Sequence, residues 1–308
     1  MEIKEKSAFI TIVGRPNVGK SSLLNRILGQ KVSIVSDKPQ TTRTKIMGVY
    51  NNAENQLVFI DTPGFHKPRN ILGQNMVKAV GDGMSDVDAV LFVVEAVHKF
   101  KLESGEIPEA EKALLGELKR KKHPAVLAIN KIDLLEKKES LLQLITTYTS
   151  FYDFDAVVPV SAKSGDGTAE LVEELTKYSK TSPHFFPNGE ITDQPEKVMV
   201  AEIIREKLLR SLDKEVPHGI AVDLERFYEK DAANGEPILM VEATVYCERE
   251  SHKGIIIGKN GEMLKKVGIR ARKDIEEFFG IRASVKLWVK VKEDWRNRQG
   301  IIHTFGLD

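Results

Sequence analysis

The sequence predicts an α/β protein. A mostly parallel, doubly wound sheet is expected over residues 1–180, then a linker at 181–190, then a smaller α+β domain over 191–308. Three observations carry this expectation. Through the first 180 residues, short apolar runs alternate with amphipathic helical stretches. Chemistry-bearing residues stand where the runs end, the place where open α/β sheets hold ligands. Residues 181–190 then carry Pro183, Pro187 and Gly189 with no hydrophobic period, and beyond them the alternation stops.

The first strand is read at 8–13, an apolar run. The segment 14–21, Gly-Arg-Pro-Asn-Val-Gly-Lys-Ser, fits the nucleotide-phosphate signature G-x-x-x-x-G-K-S. Gly14 and Gly19 let the backbone wrap so that successive N–H groups face phosphate oxygens. Arg15, Pro16, Asn17 and Val18 form the turn between them. Lys20 brings a charge to the β- and γ-phosphates, and Ser21 offers a hydroxyl to magnesium. Ser22 opens a helix with apolar residues at 23, 24, 27 and 28, whose N-terminus favours a bound anion.

Residues 30–45 are polar and irregular, with Ser36, Pro39, Thr41, Thr42 and Thr44. A threonine-bearing loop after a phosphate loop and its helix is where a second magnesium ligand can be held and released, with Thr42 ahead of Thr41. Two strands, 46–50 and 56–60, follow as a hairpin across residues 51–54. Asp61-Thr62-Pro63-Gly64 stands directly at the end of the second, 41 residues after Lys20. A carboxylate there can anchor magnesium through water, and the Gly64 N–H can sense the γ-phosphate. Residues 65–85 are polar and broken by Gly73, Gly81 and Gly83, so a mobile second switch is expected.

The run at 88–95 reads as a strand buried on both faces. Residues 105–122 read as a surface helix with apolar positions 107, 110, 114, 115 and 118 and a basic end. A strand at 124–129 then delivers Asn130-Lys131-Ile132-Asp133. That tetrad selects the base. Asp133 can accept two hydrogen bonds from guanine, where adenine has no donors, Lys131 can lay its stem over the ring, and Asn130 can tie the loop to the phosphate loop. After a helix at 141–148 and a strand at 156–160, Ser161-Ala162-Lys163 can present the Ala162 N–H to guanine O6. A helix over 167–178, with Thr168 as cap, closes the domain.

In the second domain the expected order is helix (196–212), two strands (220–225 and 238–247), Gly258-Lys259-Asn260-Gly261, a basic helix to 279 and a last strand at 283–292. That is the order of an RNA-binding KH module. Glycines at 258 and 261 permit close approach of nucleotide backbone, residues 255–257 form an apolar wall for bases, and Lys259 meets a phosphate. Overall, 46 basic residues nearly cancel 45 acidic ones, for a net charge of +1. The balance hides an asymmetry: residues 249–300 hold 14 Lys/Arg against 7 Asp/Glu, while 190–248 hold 7 against 14. The Gly-x-x-Gly loop therefore sits in a basic half-domain.

With these motifs in place, the chain resembles the Era family of bacterial ribosome-associated GTPases from end to end. The resemblance rests on residues 14–21, Gln40-Thr41-Thr42-Arg43, 61–64, 130–133 and 161–163, followed by a KH domain of that family's type (type II). It implies GTP hydrolysis coupled to binding the 3′ end of small-subunit (16S) ribosomal RNA during maturation of that subunit. GTP or GDP and Mg2+ are the implied ligands, with Ser21, Thr42 and Asp61 holding the metal. Lys20, Asn17, Thr42, Asp61 and Gly64 are the implied catalytic set. RNA contacts carry over to Ile257, Gly258, Lys259, Asn260 and Gly261, with Lys265 and Lys266 of the basic helix. Peripheral contact with the inner face of the membrane is a secondary expectation, resting here on basic surface alone.

Phe65 follows Gly64 where many small GTPases carry a water-orienting glutamine, and a phenyl ring cannot do that work. In related GTPases an asparagine at the position of Asn17 helps bind potassium, so K+ is a further expected cofactor. Slow intrinsic turnover, dominated by positioned charge, is expected. The single cysteine, Cys247, excludes an intrachain disulfide and a cysteine-rich zinc site. Residues 1–6 are too charged for a secretory signal and no run approaches 18 apolar residues, so a cytoplasmic monomer is expected. Other readings are an ATP-dependent RNA remodeller, an RNA-binding protein with a silent nucleotide pocket, and a tRNA-modifying GTPase. A GTP-regulated protein acting on another structured RNA or at the membrane surface is the main alternative.

Overall fold

The structure is a computed structural model that describes residues 5–52, 54–65, 68, 70–97, 106–214, 216–232 and 235–307. Ala53 of the expected hairpin turn and Gly105 at the expected helix start lie outside these residues. The chain divides into two compact units. One comprises residues 1–33, 42–68 and 76–193, the other 34–41, 69–75 and 194–308.

The first unit is built on β1 (Lys6–Val13), α1 (Lys20–Leu28), β2 (Ile46–Asn51) and β3 (Asn55–Asp61). These are followed by α2 (Ile71–Gly83), of which residues 71–75 are grouped with the other unit, β4 (Ala89–Glu95), α3 (Glu109–Lys121), β5 (Ala125–Asn130), α4 (Lys138–Phe151), β6 (Ala156–Pro159), α5 (Thr168–Thr176) and the short β7 (Lys180–Thr181). The sheet order is β2-β3-β1-β4-β5-β6, with β7 pairing β1. β3, β1, β4, β5 and β6 pair in parallel, and only β2 and β7 run antiparallel to their neighbours. Strands covered on both faces need apolar side chains on both, and β4 and β5 show this: Val90–Val94 and Val126–Ile129 are all fully buried. The register aligns Ile12 with Asp61 and Glu95 with Asn130, so the motif residues gather along one edge of the sheet.

Two readings of the sequence change here. Residues 71–83 form a helix, where a polar mobile segment was expected. Leu72, Met76, Val80 and Met84 recur every fourth residue and are buried, a stripe that the interspersed glycines obscured. Thr168 is the first residue of α5 rather than its cap; Gly167 caps it in a left-handed conformation, and the Thr168 hydroxyl donates to Gly165 O (2.6 Å). The proline-bearing stretch expected as a linker is tied to this unit. Gln56 accepts the Phe185 and Phe186 amides (2.7 and 3.0 Å) and donates to Phe186 O (2.9 Å).

The second unit contains α6 (Glu196–Ser211), β8 (Ala221–Asp231), β9 (Pro237–Cys247), α7 (Glu250–Ile257), α8 (Glu262–Phe279), β10 (Arg282–Val291) and α9 (Gln299–Thr304). β9 is central, antiparallel to β8 and parallel to β10. α6 buries Val200, Ile203, Ile204 and Leu208, and α8 buries Val267, Ala271 and Ile275 at a four-residue spacing. Trp295 is fully buried and donates its indole N–H to Gly219 O (2.9 Å), so it is a core residue and not part of a basic surface.

Candidate functional site

Residues 14–19 turn between β1 and α1 so tightly that side chains are excluded at both glycines. A Cβ on Gly14 would lie 2.3 Å from Val93 O, and one on Gly19, at φ +97°, would lie 2.2 Å from the Asn130 side-chain nitrogen. Such contacts leave glycine alone at both positions. Lys20 is buried, its ammonium held by the carbonyls of Gly14 (3.1 Å) and Arg15 (3.0 Å). Burial pulls its pKa down to about 8; the Asp61 charge works against the fall and Arg15 adds to it.

Ser21, Thr42 and Asp61 come together. Ser21 Oγ lies 2.9 Å from Thr42 Oγ1 and donates to Asp61 Oδ2 (2.5 Å), which also accepts Ser33 Oγ (3.1 Å). Thr41 directs its hydroxyl elsewhere, to Lys38 O (2.6 Å), so Thr42 is the threonine at the site. Burial raises the Asp61 pKa, against the charge of Lys20 and the hydrogen bonds of Ser21 and Ser33. Asp61 Oδ1 is buried with no protein partner. An orphaned carboxylate oxygen beside two hydroxyls fits a hydrated magnesium whose remaining ligands come from phosphate and water. Among the described residues there is no cluster of three or more His, Cys, Asp or Glu side chains suited to a metal.

Asp61 leads into Thr62, whose hydroxyl is used on Ile12 O (2.7 Å) and so serves the strand rather than a ligand. Gly64 passes against the phosphate loop: a Cβ there would be 2.7 Å from Pro16 Cα, and the Phe65 amide donates to Gly14 O (3.2 Å). The Phe65 ring packs on the hydrophobic core.

The base-reading tetrad is bound to the same loop. Asn130 donates to Val18 O (2.9 Å) and accepts the Ala162 amide (3.0 Å). The Ala162 N–H, expected to face guanine O6, is thus engaged by Asn130, and a base at this position would share it. Lys131, at φ +66°, donates to Asn17 O (2.7 Å). Ser161 donates to Asp133 Oδ1 (2.7 Å) and orients that carboxylate. Lys163 is exposed, its ammonium 3.9 Å from Asp133 Oδ2. Asn17 is exposed on the turn at φ +66°.

Several contributors were not apparent from the motifs. Arg26 holds the 161–163 loop through Ala162 O (2.9 Å) and Lys163 O. Ser33 sits between two buried apolar residues and braces Asp61. Glu111 stands on the apolar stripe of α3, completely buried; an acid in that position is the one signal the sequence offered.

In the second unit, residues 258–261 form a single tight turn between α7 and α8. Gly258 is at φ +74°, and a Cβ there would meet Met263 Cβ at 2.6 Å. Gly261, at φ +79°, has open space around it. Lys259, Asn260, Lys265 and Lys266 are exposed. The apolar wall expected at 255–257 is corrected: Ile255 is exposed, Ile257 half-buried, but Ile256 points into the core because consecutive helical residues cannot share a face. A groove of about 600 Å³ runs between α8 and β10, lined by Gly261, Leu264, Lys265, Gly268, Arg272 and Leu287 among others. Apolar floor, basic rim and glycine-lined end suit single-stranded RNA, whose bases stack while its backbone meets cations. Of the expected RNA contacts, Gly261 and Lys265 line it, whereas Ile257, Gly258, Lys259, Asn260 and Lys266 do not.

A G-x-x-x-x-G-K-S loop, a strand-end aspartate beside two hydroxyls and the Asn130–Asp133 tetrad, gathered on one sheet edge, are the arrangement of a P-loop GTPase, here followed by a KH domain. The family described as "50S ribosome-binding GTPase" matches residues 9–131, and the KH domain family matches 215–296. The chain is 48% identical over 301 residues to GTPase Era of Clostridioides difficile (strain 630), covering 98% of each. It is 47% identical over 302 residues to GTPase Era of Ruminiclostridium cellulolyticum, covering 98% of this chain and 97% of that one. Among solved structures it is similar to Era in complex with MgGDPNP and nucleotides 1506–1542 of 16S ribosomal RNA (TM-score 0.91, 37% identity). It is also similar to an Aquifex aeolicus Era variant bound to GDP and aluminium fluoride (TM-score 0.90, 37% identity). Each covers 98% of this chain and 99% of the other. The chain belongs to the Era family of GTPases.

Proposed function

We propose that this protein hydrolyses GTP and binds the 3′ end of 16S ribosomal RNA through its KH domain, acting in assembly of the small ribosomal subunit. The observation that carries the reading is the presence, in one chain, of the glycine-walled phosphate cradle and the Gly258–Gly261 turn beside the groove between α8 and β10, matched over 98% of the chain by a solved Era in complex with MgGDPNP and 16S ribosomal RNA nucleotides. The broader family description names the large subunit but touches only residues 9–131, whereas the 16S-bound neighbour matches 98% of the chain. The domain assignment proposed is GTPase at 1–180, linker at 181–190 and KH at 191–308.

In the proposed mechanism, Ser21, Thr42 and Asp61 would hold Mg2+, which when bound would supply positive charge to the phosphate oxygens. Lys20 brings a buried cation to the phosphates, in a site where low dielectric strengthens it. Gly64 approaches the loop closely because it has no side chain, which lets its amide sense the γ-phosphate. Asp133, oriented by Ser161, reads the guanine edge, and the Lys131 stem covers the ring. Phe65, half-buried against the core, carries a phenyl ring and supplies no group to the attacking water. Asn17, exposed on the phosphate turn, is the proposed ligand for K+, which would supply positive charge there instead.

On the RNA side, Lys259, Lys265 and Arg272 meet phosphates, while Leu264 and Leu287 floor the groove against the bases. The test is a double change, Lys259→Asp with Asn260→Asp, which keeps both glycines of the turn. It should abolish binding to an oligonucleotide copying the 16S 3′ end, leaving GTP turnover without RNA intact. Unchanged oligonucleotide affinity in a folded variant would mean that the Gly258–Gly261 loop is only a turn, and the basic surface between 265 and 298 would become the leading RNA site. Among the described residues, no helix is long and apolar enough to cross a membrane. Peripheral membrane contact is checked by co-flotation with anionic vesicles, and the monomeric state by sedimentation.

A further inference from the structure

Arg15 lies inside the phosphate turn, yet its guanidinium is committed to two carboxylates outside it. Nε donates to Glu111 Oε1 of α3 (2.5 Å), and Nη2 reaches Glu95 Oε1 at the end of β4 (3.4 Å). Glu111 is completely buried, and its second oxygen accepts the hydroxyl of Tyr148 from α4. The second oxygen of Glu95 accepts Lys131 Nζ (2.8 Å), the same ammonium that donates to Asn17 O. Glu95, Glu111 and Tyr148 belong to no nucleotide-binding motif.

The arrangement has a physical consequence. A carboxylate wholly removed from water is strongly unfavourable unless paired, so Glu111 requires Arg15 and fixes it in place. Arg15 O is one of the two carbonyls that hold Lys20, and Asn17 O, two residues on, holds Lys131. One short stretch of turn therefore seats both the phosphate-directed and the base-directed lysine. Glu95 is the shared counter-ion of Arg15 and Lys131. Its register opposite Asn130 in the parallel pair β4–β5 places it between the two loops. Without it, two cations would face each other across the seam.

We propose that Glu95 is a positioning residue that locks the phosphate loop and the base-reading loop into one register, with Glu111 and Tyr148 as the buried support that aligns Arg15 for it. The inference rests on the GTP-binding reading of the site. It separates ligands by how much of the site they span. GDP engages both loops, so it should feel the lock, whereas tripolyphosphate engages only the phosphate loop, where Glu111 still holds Arg15.

The experiment measures the affinities of GDP and tripolyphosphate for the full chain and for Glu95→Gln, Glu95→Asp and Lys131→Met. Glu95→Gln should weaken GDP about tenfold, in keeping with the loss of charge-assisted hydrogen bonds, and tripolyphosphate by less than about twofold. Glu95→Asp keeps the carboxylate and should recover most of the GDP affinity. Lys131→Met keeps the aliphatic stem but not the ammonium, and should lose GDP affinity by a similar factor. The double variant Glu95→Gln/Lys131→Met should lose less than the sum of the two single losses, because the Glu95–Lys131 bond is removed in both. For Glu95→Gln, kcat should stay within about twofold of the parent while KM for GTP rises, which a general loss of fold would not produce. Equal losses for GDP and tripolyphosphate, or full additivity in the double variant, would overturn the proposal. So would unchanged GDP affinity in Glu95→Gln. Should Glu95→Gln fail to fold, Glu95→Ala with the same two ligands decides by the same criterion. Failure of the parent to bind GDP would instead sink the GTP-binding reading itself.

Discussion

Lys20 makes nucleotide affinity depend on pH in a direction and size that can be worked out. Its ammonium is buried, and burial lowers its pKa from 10.5 to about 8. A bound polyphosphate sets negative charge against it and restores the protonated form. Binding above pH 8 must therefore take up a proton. With the complex protonated throughout, the apparent Kd scales as one plus the ratio of deprotonated to protonated free protein. That ratio is about 0.1 at pH 7 and about 10 at pH 9, so Kd rises roughly tenfold, or about 1.4 kcal/mol. The assay is calorimetric titration with GDP from pH 7 to 9 in buffers of different ionisation enthalpy, which reports proton uptake directly. Tripolyphosphate serves as a ligand without a base, since guanine itself begins to titrate at the upper end. Lys20→Arg carries a cation that does not titrate and should flatten the profile whatever its absolute affinity. A flat profile in the parent, or the same slope in Lys20→Arg, would refute the reasoning. The stability of the nucleotide-free protein follows from the same shift. The folded pKa lies below the unfolded value, so the unfolded chain binds more protons between about pH 8 and 10.5, and this group's contribution makes stability rise with pH across that window.

Asp133→Asn should move preference from GTP toward xanthosine triphosphate, because the amide offers a donor to the second carbonyl of xanthine; equal affinity of the parent for ATP and GTP in direct titration would remove the premise. GTP turnover should rise when potassium replaces sodium at matched ionic strength and fall with Asn17→Ala, and identical rates in the two salts would exclude the cation. Gly258→Ala should destabilise the KH domain by about 1–3 kcal/mol, since φ is +74° and the new Cβ would meet Met263 at 2.6 Å. Gly261→Ala, with open space around it, carries the backbone cost alone, and thermal unfolding of the pair should show the smaller loss there.

Much of the nucleotide site was legible in the sequence because its motifs are local. Residues 14–19 encode a turn that requires glycine at both ends, and Asp61 and Asn130 are each the last residue of an apolar strand. The same holds for Gly258 and Gly261, whose positive φ values answer to a tight turn between helices. Amphipathic period also placed α1, α3 and α6, since a buried face writes itself into residue spacing, while α8 was expected only as a basic helix. The helix at 71–83 escaped because three glycines masked a regular stripe.

What the tertiary structure alone decided are pairings between distant residues. Ser33 bracing Asp61, Arg26 holding the 161–163 loop, Ala162 giving its amide to Asn130, and Arg15 shared between Glu95 and Glu111 join positions 28 to 137 residues apart. No period or motif marks them. A buried polar side chain is tolerated only when its partner is present, and which partner arrives is set by strand order and register. Those are properties of the assembled sheet, where Glu95 comes to lie beside Asn130, and not of any stretch of chain.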